Sequence, residues 1–164
     1  MRKFEVITQF KDKGINLPKR GTAFSAGYDF EAAETVTIPS IFKQYEEFKG
    51  LGDKQKAIPE GTYVQTGIKV QMPEGQYLSL YSRSSNFNKL GLVLANSVGV
   101  GDQDYYNNPG NEGHLMFNFI NYGFEDVVIQ KGDRIGQGIF VDFYTTDDDA
   151  AEGERANGFG STGK

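Results

Sequence analysis

HLMFNFIN, residues 114–121, alternates large apolar side chains with residues of different character. Leu115, Phe117 and Phe119 recur at every second position, which is the period of a β-strand and not that of a helix. Such a strand turns one face to a hydrophobic core and keeps an unlike second face. The stretch therefore predicts a β-strand with two unlike faces, for which the rest of the chain must supply a sheet.

Compact apolar segments of similar length recur on both sides of this strand. They are FEVIT (4–8), ETVTI (34–38), TYVQTGIKV (62–70), QYLSLYS (76–82), LVLAN (92–96), DVVI (126–129) and GIFVDFY (138–144). Gly, Pro, Asn and Asp stand between them, as in MPEG and QKGD. Because many short strands joined by such turns favour a β-barrel or sandwich over a βαβ fold, the sequence predicts an all-β chain.

A single segment, PSIFKQYEEFKG (39–50), breaks the strand pattern and predicts a short amphipathic helix. The indications are an N-cap at Ser40, an apolar face of Ile41, Tyr45 and Phe48, and a stop at Gly50. We expect this helix to pack on the barrel as a structural accessory. The alternative is a docking surface for a partner.

The chain of 164 residues is expected to form one folded domain. We assign residues 1–144 to a β-barrel. The acidic stretch TTDDDAAEGE (145–154) has the composition of a solvated linker. Residues 145–164 are therefore expected to be a linker followed by a flexible, glycine-rich C-terminal tail.

Composition excludes several kinds of site and partner. The chain has no cysteine, which excludes disulfides, thiolate metal sites and cysteine nucleophiles. The net charge of −5 argues against non-specific binding of nucleic acid, but a metal ion and a few arginines can still neutralise a nucleotide. Since no signal-peptide pattern or membrane-spanning apolar run is present, a cytoplasmic location is expected.

Three stretches combine the residue types that bind anions. They are SRSSNFNKLG (82–91), KGDRIGQGIF (131–140) and RANGFGSTGK (155–164). In the first, Arg83, Ser84 and Ser85 stand where a strand ends, and the second offers Arg134 and Gln137. The third has glycine N–H groups, hydroxyls and an arginine, which suit phosphate oxygens. A structural alternative for the first stretch is that Ser84 or Ser85 caps the short helix behind it.

Two further stretches place carboxylates beside glycines. AGYDFEA (26–32) contains Asp29, and NSVGVGDQDYY (96–106) contains Asp102. A carboxylate in a glycine-lined turn can act as a general base, or it can be an ordinary turn aspartate. The lone His114 does not support a zinc site or a Ser-His-Asp arrangement, and we expect it on the surface beside a turn.

Five of these stretches, taken in order, resemble the five motifs of the trimeric dUTP nucleotidohydrolases, the dUTPases. They are AGYDFEA, SRSS, LGLVLANSVGVGDQDY, RIGQGIF and RANGFGSTG, and they span residues 26–163. The resemblance implies a dUTPase-like β-barrel of the distorted jelly-roll type, assembled as a homotrimer with active sites shared between subunits. It also implies hydrolysis of dUTP to dUMP and pyrophosphate, with Mg²⁺ as the metal.

The same resemblance implies a role for individual residues. Asp102 would activate the attacking water, with Asp104 as the rival base. Substrate would be bound by Arg83, Ser84, Ser85 and Gln137 at the phosphates, Asn96 at the uracil, Tyr105 under the deoxyribose, and Arg155, Phe159, Gly160, Ser161 and Thr162 in the closing tail. Asp29 would support the region of the phosphates and the metal, while Arg134 would be structural. Removal of 155–164 is expected to lower turnover much more than stability.

Several features depart from the family pattern. Gly101 stands where the family has a bulky aliphatic residue, and YNNPGNEG (106–113) lengthens a hairpin. Residues 39–57 resemble an insertion, and either added segment is a place where a protein partner would bind. Such segments make a phage-type member an expectation as well.

Two other functions stay open at this point. The related dCTP deaminases share the barrel and an RSS-type motif, but they need a catalytic glutamate where this chain has Asn118. The second alternative is a regulatory protein of the same fold that acts through protein–protein contacts. Retention of Asp102, Gln137 and the FGSTG tail favours the hydrolase.

Overall fold

A computed structural model gives the structure of residues 1–49 and 60–153. Within these residues the chain forms eleven β-strands and two α-helices. The strands are β1 (Lys3–Val6), β2 (Lys19–Arg20), β3 (Tyr28–Glu31), β4 (Val36–Ile38), β5 (Thr62–Gln71), β6 (Gln76–Ser82), β7 (Leu92–Leu94), β8 (Gly99–Gly101), β9 (Leu115–Asn121), β10 (Val127–Ile129) and β11 (Arg134–Asp142). The helices are α1 (Ile41–Phe48) and α2 (Ser84–Leu90), and short 3₁₀ turns occupy Thr8–Phe10 and Gln103–Tyr105.

The described strands pair into two main sheets and a small ribbon. One sheet has the order β1-β5-β9-β7, the second has the order β2-β3-β11-β6-β8, and β4 pairs with β10. All of these pairings are antiparallel. Aromatic rings from the two main sheets meet in one core, so the fold is jelly-roll-like and the predicted all-β class is confirmed.

The strand β9 runs through the centre of the first sheet, between β5 and β7. Leu115, Phe117 and Phe119 are buried in the core, and the residues between them are only half-buried. The ring of Phe117 lies 5.7 Å from the ring of Phe30, which belongs to the opposite sheet. The two unlike faces predicted from the alternation in HLMFNFIN are therefore confirmed.

The two glycines of GQG in β11 are required by the aromatic core. A Cβ atom at Gly136 would lie 2.1 Å from Cε1 of Phe117, and one at Gly138 would lie 2.8 Å from Cε2 of Phe30. Since successive side chains of a strand point to opposite faces, Gln137 between them points away from the core. The glycines thus let β11 lie against the rings and leave Gln137 on the outer face.

The sequence does not predict β2, β3 or β8. These strands are two to four residues long and contain charged residues or glycines, which have low strand propensity. They form because longer neighbours hold them: β3 pairs with β11 and β8 pairs with β6. Two of the stretches chosen for their polar residues are thus partly strands.

The helix α1 begins as predicted at Ser40. The Ser40 hydroxyl accepts a hydrogen bond from the Phe42 N–H at 3.2 Å and donates one to the Gly123 carbonyl at 2.6 Å. The prediction for its apolar face is wrong at Tyr45, which is 51% exposed, because Phe42 instead stacks on Phe124. The predicted stop at Gly50 lies outside the described residues. Neither described helix has the length and apolar character needed to cross a membrane.

Candidate functional site

The helix α2 follows β6 directly and presents the SRSS stretch at its start. Arg83 is the N-cap residue, with extended backbone, and its side chain makes no capping bond. Ser84 and Ser85 therefore belong to the first helical turn, and the alternative in which either serine caps the helix is wrong. Ser84 is exposed and Ser85 is half-buried.

Asn86 joins the start of α2 to the neighbouring strand β11. This residue is only 4% exposed, and its Nδ2 donates to Ser82 Oγ at 3.1 Å and to the Ile135 carbonyl at 2.8 Å. Beside it, the Arg83 guanidinium donates to the Arg134 carbonyl at 3.0 Å. The SRSS stretch is thus fixed against β11 by two side chains.

Asp29 and Gln137 lie side by side on adjacent strands of the second sheet. Gln137 of β11 is opposite Asp29 of β3 and Tyr81 of β6. The Gln137 side chain lies over Gly27, where a Cβ atom would be 2.1 Å from Oε1. The Asp29 carboxylate accepts a hydrogen bond from Arg134 at 3.1 Å, which agrees with the structural role expected for Arg134.

A cavity of about 240 Å³ opens beside Arg83, between α2 and the start of β11. Its polar lining is Arg83, Lys89, Arg134, Ser85, Asn86 and a single carboxylate, that of Asp133, and its apolar lining is Leu90, Leu92, Phe119, Ile129 and Ile135. Three cations and a hydroxyl around one opening suit an anion with several oxygens, such as a phosphate chain. We call this region the cationic end of β6.

Asp102 lies near the opposite end of the strand β6. It follows β8, whose Gly101 is opposite Leu78 of β6. An open depression of about 510 Å³ is lined here by Glu74, Gly75, Asp102, Gln103, Asp104 and Phe143. We call this region the acidic end of β6. Glycine fits the packing at position 101, because a Cβ atom at Gly101 would lie only 3.3 Å from Cδ2 of Leu115.

The two ends lie at different positions along β6. Gln137 is opposite Tyr81, whereas Gly101 is opposite Leu78. Three residues along a strand correspond to roughly 10 Å, and Asp102 lies one residue further. Asn96 is exposed in the turn between β7 and β8. The predicted phosphate-binding residues are thus brought together, and the predicted base is not beside them.

Tyr105 ends the 3₁₀ turn that follows Asp102 and is 8% exposed. Its hydroxyl donates to the His114 carbonyl at 3.1 Å and accepts a hydrogen bond from Asn111 Nδ2 at 2.7 Å. Asn111 belongs to the predicted hairpin extension, residues 106–113, which we call the hairpin loop. The loop is therefore in direct contact with a predicted substrate-binding residue.

His114 is not on the surface, and that prediction is wrong. The residue is 5% exposed and its Nε2 accepts a hydrogen bond from the Gly67 N–H at 2.9 Å. Gly67 has φ of +71° and lies where the pairing of β5 with β9 shifts register. Burial lowers the pKa of His114 to about 4, so the neutral imidazole holds this bulge.

The hairpin loop is tied to the barrel by its polar side chains. The Tyr106 hydroxyl donates to Glu5 at 2.7 Å. The Glu112 carboxylate accepts from the Thr8 N–H at 3.2 Å and from Lys69 Nζ at 3.2 Å. These side chains are engaged within the chain, and binding of a protein partner to this segment stays a prediction.

Some predicted residues lie outside the described part of the chain. These are Arg155, Phe159, Gly160, Ser161 and Thr162. Among the described residues, no three His, Asp or Glu side chains are grouped so that they could hold a metal ion. Asn118, the position of the deaminase glutamate, lies on β9 opposite Tyr63, and its Oδ1 is buried without a hydrogen bond from any described residue.

Comparison with known proteins shows the family to which this chain belongs. The sequence model of the dUTPase family matches residues 54–163. A deoxyuridine 5′-triphosphate nucleotidohydrolase of Lactococcus lactis subsp. lactis (strain IL1403) is 48% identical over 165 residues, covering 99% of this chain and 98% of that protein. The chain belongs to the dUTPase family. The family and the enzyme class predicted from the five motifs are therefore confirmed.

Solved dUTPase structures agree with the fold. The crystal structure of dUTPase from Streptococcus mutans is 42% identical, with a TM-score of 0.73, and the match covers 88% of this chain and 98% of that one. A dUTPase of Staphylococcus bacteriophage 80alpha is 21% identical, with a TM-score of 0.66 and coverage of 94% and 98%. The second likeness is one of fold alone.

Sequence reasoning missed the residues that hold the dUTPase motifs in place. Asn86 and His114 bridge segments that are distant in the chain, and Asn111 joins the hairpin loop to the 3₁₀ turn that carries Tyr105. The only local signal for Asn86 is its place in the first turn of a predicted helix, where asparagine is uncommon. Nothing local marks His114, because its partner Gly67 is 47 residues away.

Proposed function

We propose that this chain hydrolyses dUTP to dUMP and pyrophosphate, with Asp102 as the base. Water attacks the α-phosphorus: a bond from the water oxygen to phosphorus forms, the bond to the leaving phosphate oxygen breaks, and Asp102 takes the proton. The observation that carries the proposal is the cationic end of β6 in a member of the dUTPase family: Arg83 and Ser85 line the cavity there, and Gln137 lies on the adjacent strand β11, opposite Tyr81.

Each residue at the cationic end has a definite task in this reaction. The Arg83 guanidinium has five N–H donors, and the bond to the Arg134 carbonyl leaves others for phosphate oxygens. Ser84 and Ser85 add hydroxyl donors. Gln137 is held on the outer face of β11 and can donate its amide N–H to the same phosphate chain. These groups position the substrate and stabilise charge at the leaving oxygens.

We propose that the base comes from a second copy of the chain. Gly101 is opposite Leu78 of β6, whereas Gln137 is opposite Tyr81, three residues further along the strand. Asp102 follows Gly101, so each chain would contribute the two ends of β6 to two different active sites. We therefore propose the homotrimer with shared sites that the motifs imply. A closed symmetric assembly repeats the same pairing of ends at every interface.

We propose that Mg²⁺, when bound, would be held mainly by the substrate. The described residues contain no cluster of three potential ligands, and one Asp29 oxygen is already bonded to Arg134. Asp29 would therefore support the region of the phosphates and the metal from one side. When bound, Mg²⁺ supplies charge neutralisation along the triphosphate.

Base and sugar recognition are assigned to the residues around β8. Asn96, in the exposed turn between β7 and β8, would read the uracil edge, and Tyr105 would lie beneath the deoxyribose. The tail would close over the nucleotide, with Phe159 on the uracil and Arg155, Gly160, Ser161 and Thr162 around the phosphates. A closing tail excludes water and strengthens the charge interactions at the reacting phosphorus.

The test is pyrophosphate release from dUTP, dCTP, dTTP and UTP, each with and without Mg²⁺. We expect selective, metal-dependent release from dUTP. Release of ammonia from dCTP would instead favour the deaminase alternative. No release from any nucleotide would refute the hydrolase proposal and leave a protein-binding role.

A further inference from the structure

The hydroxyl of Tyr105 is held from two sides. It donates to the His114 carbonyl at 3.1 Å and accepts from Asn111 Nδ2 at 2.7 Å. At the other end of the residue, the Tyr105 carbonyl accepts from Asn108 Nδ2 at 2.9 Å. Because the hydroxyl and the main-chain carbonyl of Tyr105 are both held by hydrogen bonds, the ring has little freedom to tilt.

Asn111 can offer only its NH₂ group to Tyr105. Its Oδ1 already accepts from Asn108 Nδ2 at 2.8 Å and from the Gly113 N–H at 3.1 Å. A flipped amide would place two donors against each other, so the network fixes the orientation. Asn108 is itself 4% exposed, and its Oδ1 accepts from the N–H groups of Gly110 and Asn111.

The hairpin loop that carries Asn111 is braced against the barrel. Glu112 is bonded to Thr8 and Lys69, and Tyr106 is bonded to Glu5. These contacts connect the loop to the N-terminal segment and to β5. A displacement of the Tyr105 ring is therefore opposed by the contacts of the loop with these two parts of the barrel and not by the loop alone.

We propose that Asn111 is a positioning residue that makes the enzyme selective for deoxyribose over ribose. The inference rests on the proposed function, in which Tyr105 lies beneath the sugar. A 2′-hydroxyl needs added space on the face of the sugar that the ring occupies. A ring held by Asn111 and His114 cannot withdraw, so the ribonucleotide is excluded; a ring released at its hydroxyl can withdraw and accept it.

Two variants and a matched control test the proposal. Asn111→Asp keeps the side-chain volume and the Oδ1 acceptor but removes the Nδ2 donor. Tyr105→Phe removes the hydroxyl and so both anchors. The control is Asn107→Asp in the same loop, because Asn107 bonds Lys69 and not Tyr105. The measurement is kcat/KM for UTP relative to dUTP, with Tm recorded for each protein.

We expect the UTP/dUTP ratio to rise about tenfold in Tyr105→Phe, several-fold in Asn111→Asp and not at all in Asn107→Asp. Adding Asn111→Asp to Tyr105→Phe should change the ratio no further, because the shared hydroxyl is already absent. A purely structural role would lower both kcat/KM values and Tm together and leave the ratio unchanged.

Each outcome decides. If the ratio stays at the wild-type value in Asn111→Asp, Asn111 does not act through the ring and the inference is wrong, whatever the ratio in Tyr105→Phe. If Asn111→Asp does not fold, Asn111→Ala, which also lacks the Nδ2 donor, is judged by the same criterion. Failure of the unaltered protein to hydrolyse dUTP would overturn the proposed function and this inference with it, whereas hydrolysis with unchanged ratios overturns the inference only.

Discussion

The two ends of β6 differ in charge and in the task that each can perform. Arg83, Lys89 and Arg134 surround the cationic end, whereas Glu74, Asp102 and Asp104 surround the acidic end. A triphosphate is attracted to the first and repelled by the second. Under the proposed function, one chain separates the binding of phosphate from the activation of water, and a second copy of the chain brings the two together.

Each end is also backed by a buried polar residue of its own. Asn86 fixes the cationic end by joining α2 to β11. His114 supports the acidic end, because its carbonyl accepts from the Tyr105 hydroxyl and its imidazole accepts from the Gly67 N–H. The Asn86 side chain is uncharged at any ordinary pH, whereas the His114 imidazole becomes protonated when the pH falls low enough. The two ends should therefore fail under different conditions.

The largest expected effect is loss of the base at the acidic end. Asp102→Asn keeps the shape of the side chain but removes its ability to take a proton, so kcat should fall by about 10²–10⁴. Binding of a non-hydrolysable dUTP analogue should stay close to wild type, since the cationic end is intact. The control is Asp104→Asn in the same turn. If Asp104→Asn is the variant that loses turnover, the roles of the two aspartates are exchanged.

The separation of the two ends can be tested by mixing two inactive proteins. Asp102→Asn lacks the base and Arg83→Ala lacks a phosphate ligand, so neither should turn over dUTP by itself. If each site uses the two residues from different chains, random co-assembly restores about a quarter of the sites. The proteins are unfolded together, refolded and assayed for pyrophosphate release. Activity no higher than in the separate proteins would show that both residues act within one chain.

Low pH should destabilise the acidic end of β6 before the cationic end, because His114 becomes protonated. Burial lowers the pKa of His114 from 6.5 to about 4, so the folded state favours the neutral imidazole. The stability that this contributes is complete above pH 6.5 and is lost as the pH falls from 6.5 to 4, by on the order of 3 kcal/mol. Urea denaturation at several pH values measures it. His114→Gln keeps an acceptor without a proton to gain, and it should remove this slope.

Glu112 gives a check on that assignment. Its pKa is lowered, with hydrogen bonds from Thr8 and Lys69 outweighing the opposing desolvation, so its own contribution is lost only as the pH falls below about 4.5, at the acidic edge of this range. If the slope between pH 6.5 and 4 persists in His114→Gln, the acid sensitivity comes from another group and His114 is not the anchor of this end.

The features that could be predicted from the sequence are those whose pattern is local in the chain. The strand β9 was predictable because its alternation is local, and the helix start at Ser40 because a cap is a local pattern. The motif residues could be named because five stretches occur in order. The strands β3 and β8 could not be, since long neighbouring strands hold them in place.

The anchors were harder to predict for the same reason. His114 looks like a turn residue until the β5 bulge at Gly67 is known, and that bulge is a feature of pairing between distant strands. Asn111 looks like one of many loop asparagines until the Tyr105 hydroxyl is known to lie 2.7 Å from it. Side-chain networks depend on loop geometry that no periodicity encodes.

The smallest expected effect concerns the anchor of the cationic end. Asn86→Ala removes the bonds to Ser82 and Ile135 and leaves the buried Ile135 carbonyl without this donor, which should lower the free energy of unfolding by about 1–3 kcal/mol. Because the start of α2 then loosens, KM for dUTP should rise more than kcat falls. Asn88→Ala, an exposed position on the same helix, should change neither value. If Asn86→Ala lost stability but kept its KM, Asn86 would support the fold alone, and the cationic end would be positioned by Arg83 and its bond to the Arg134 carbonyl.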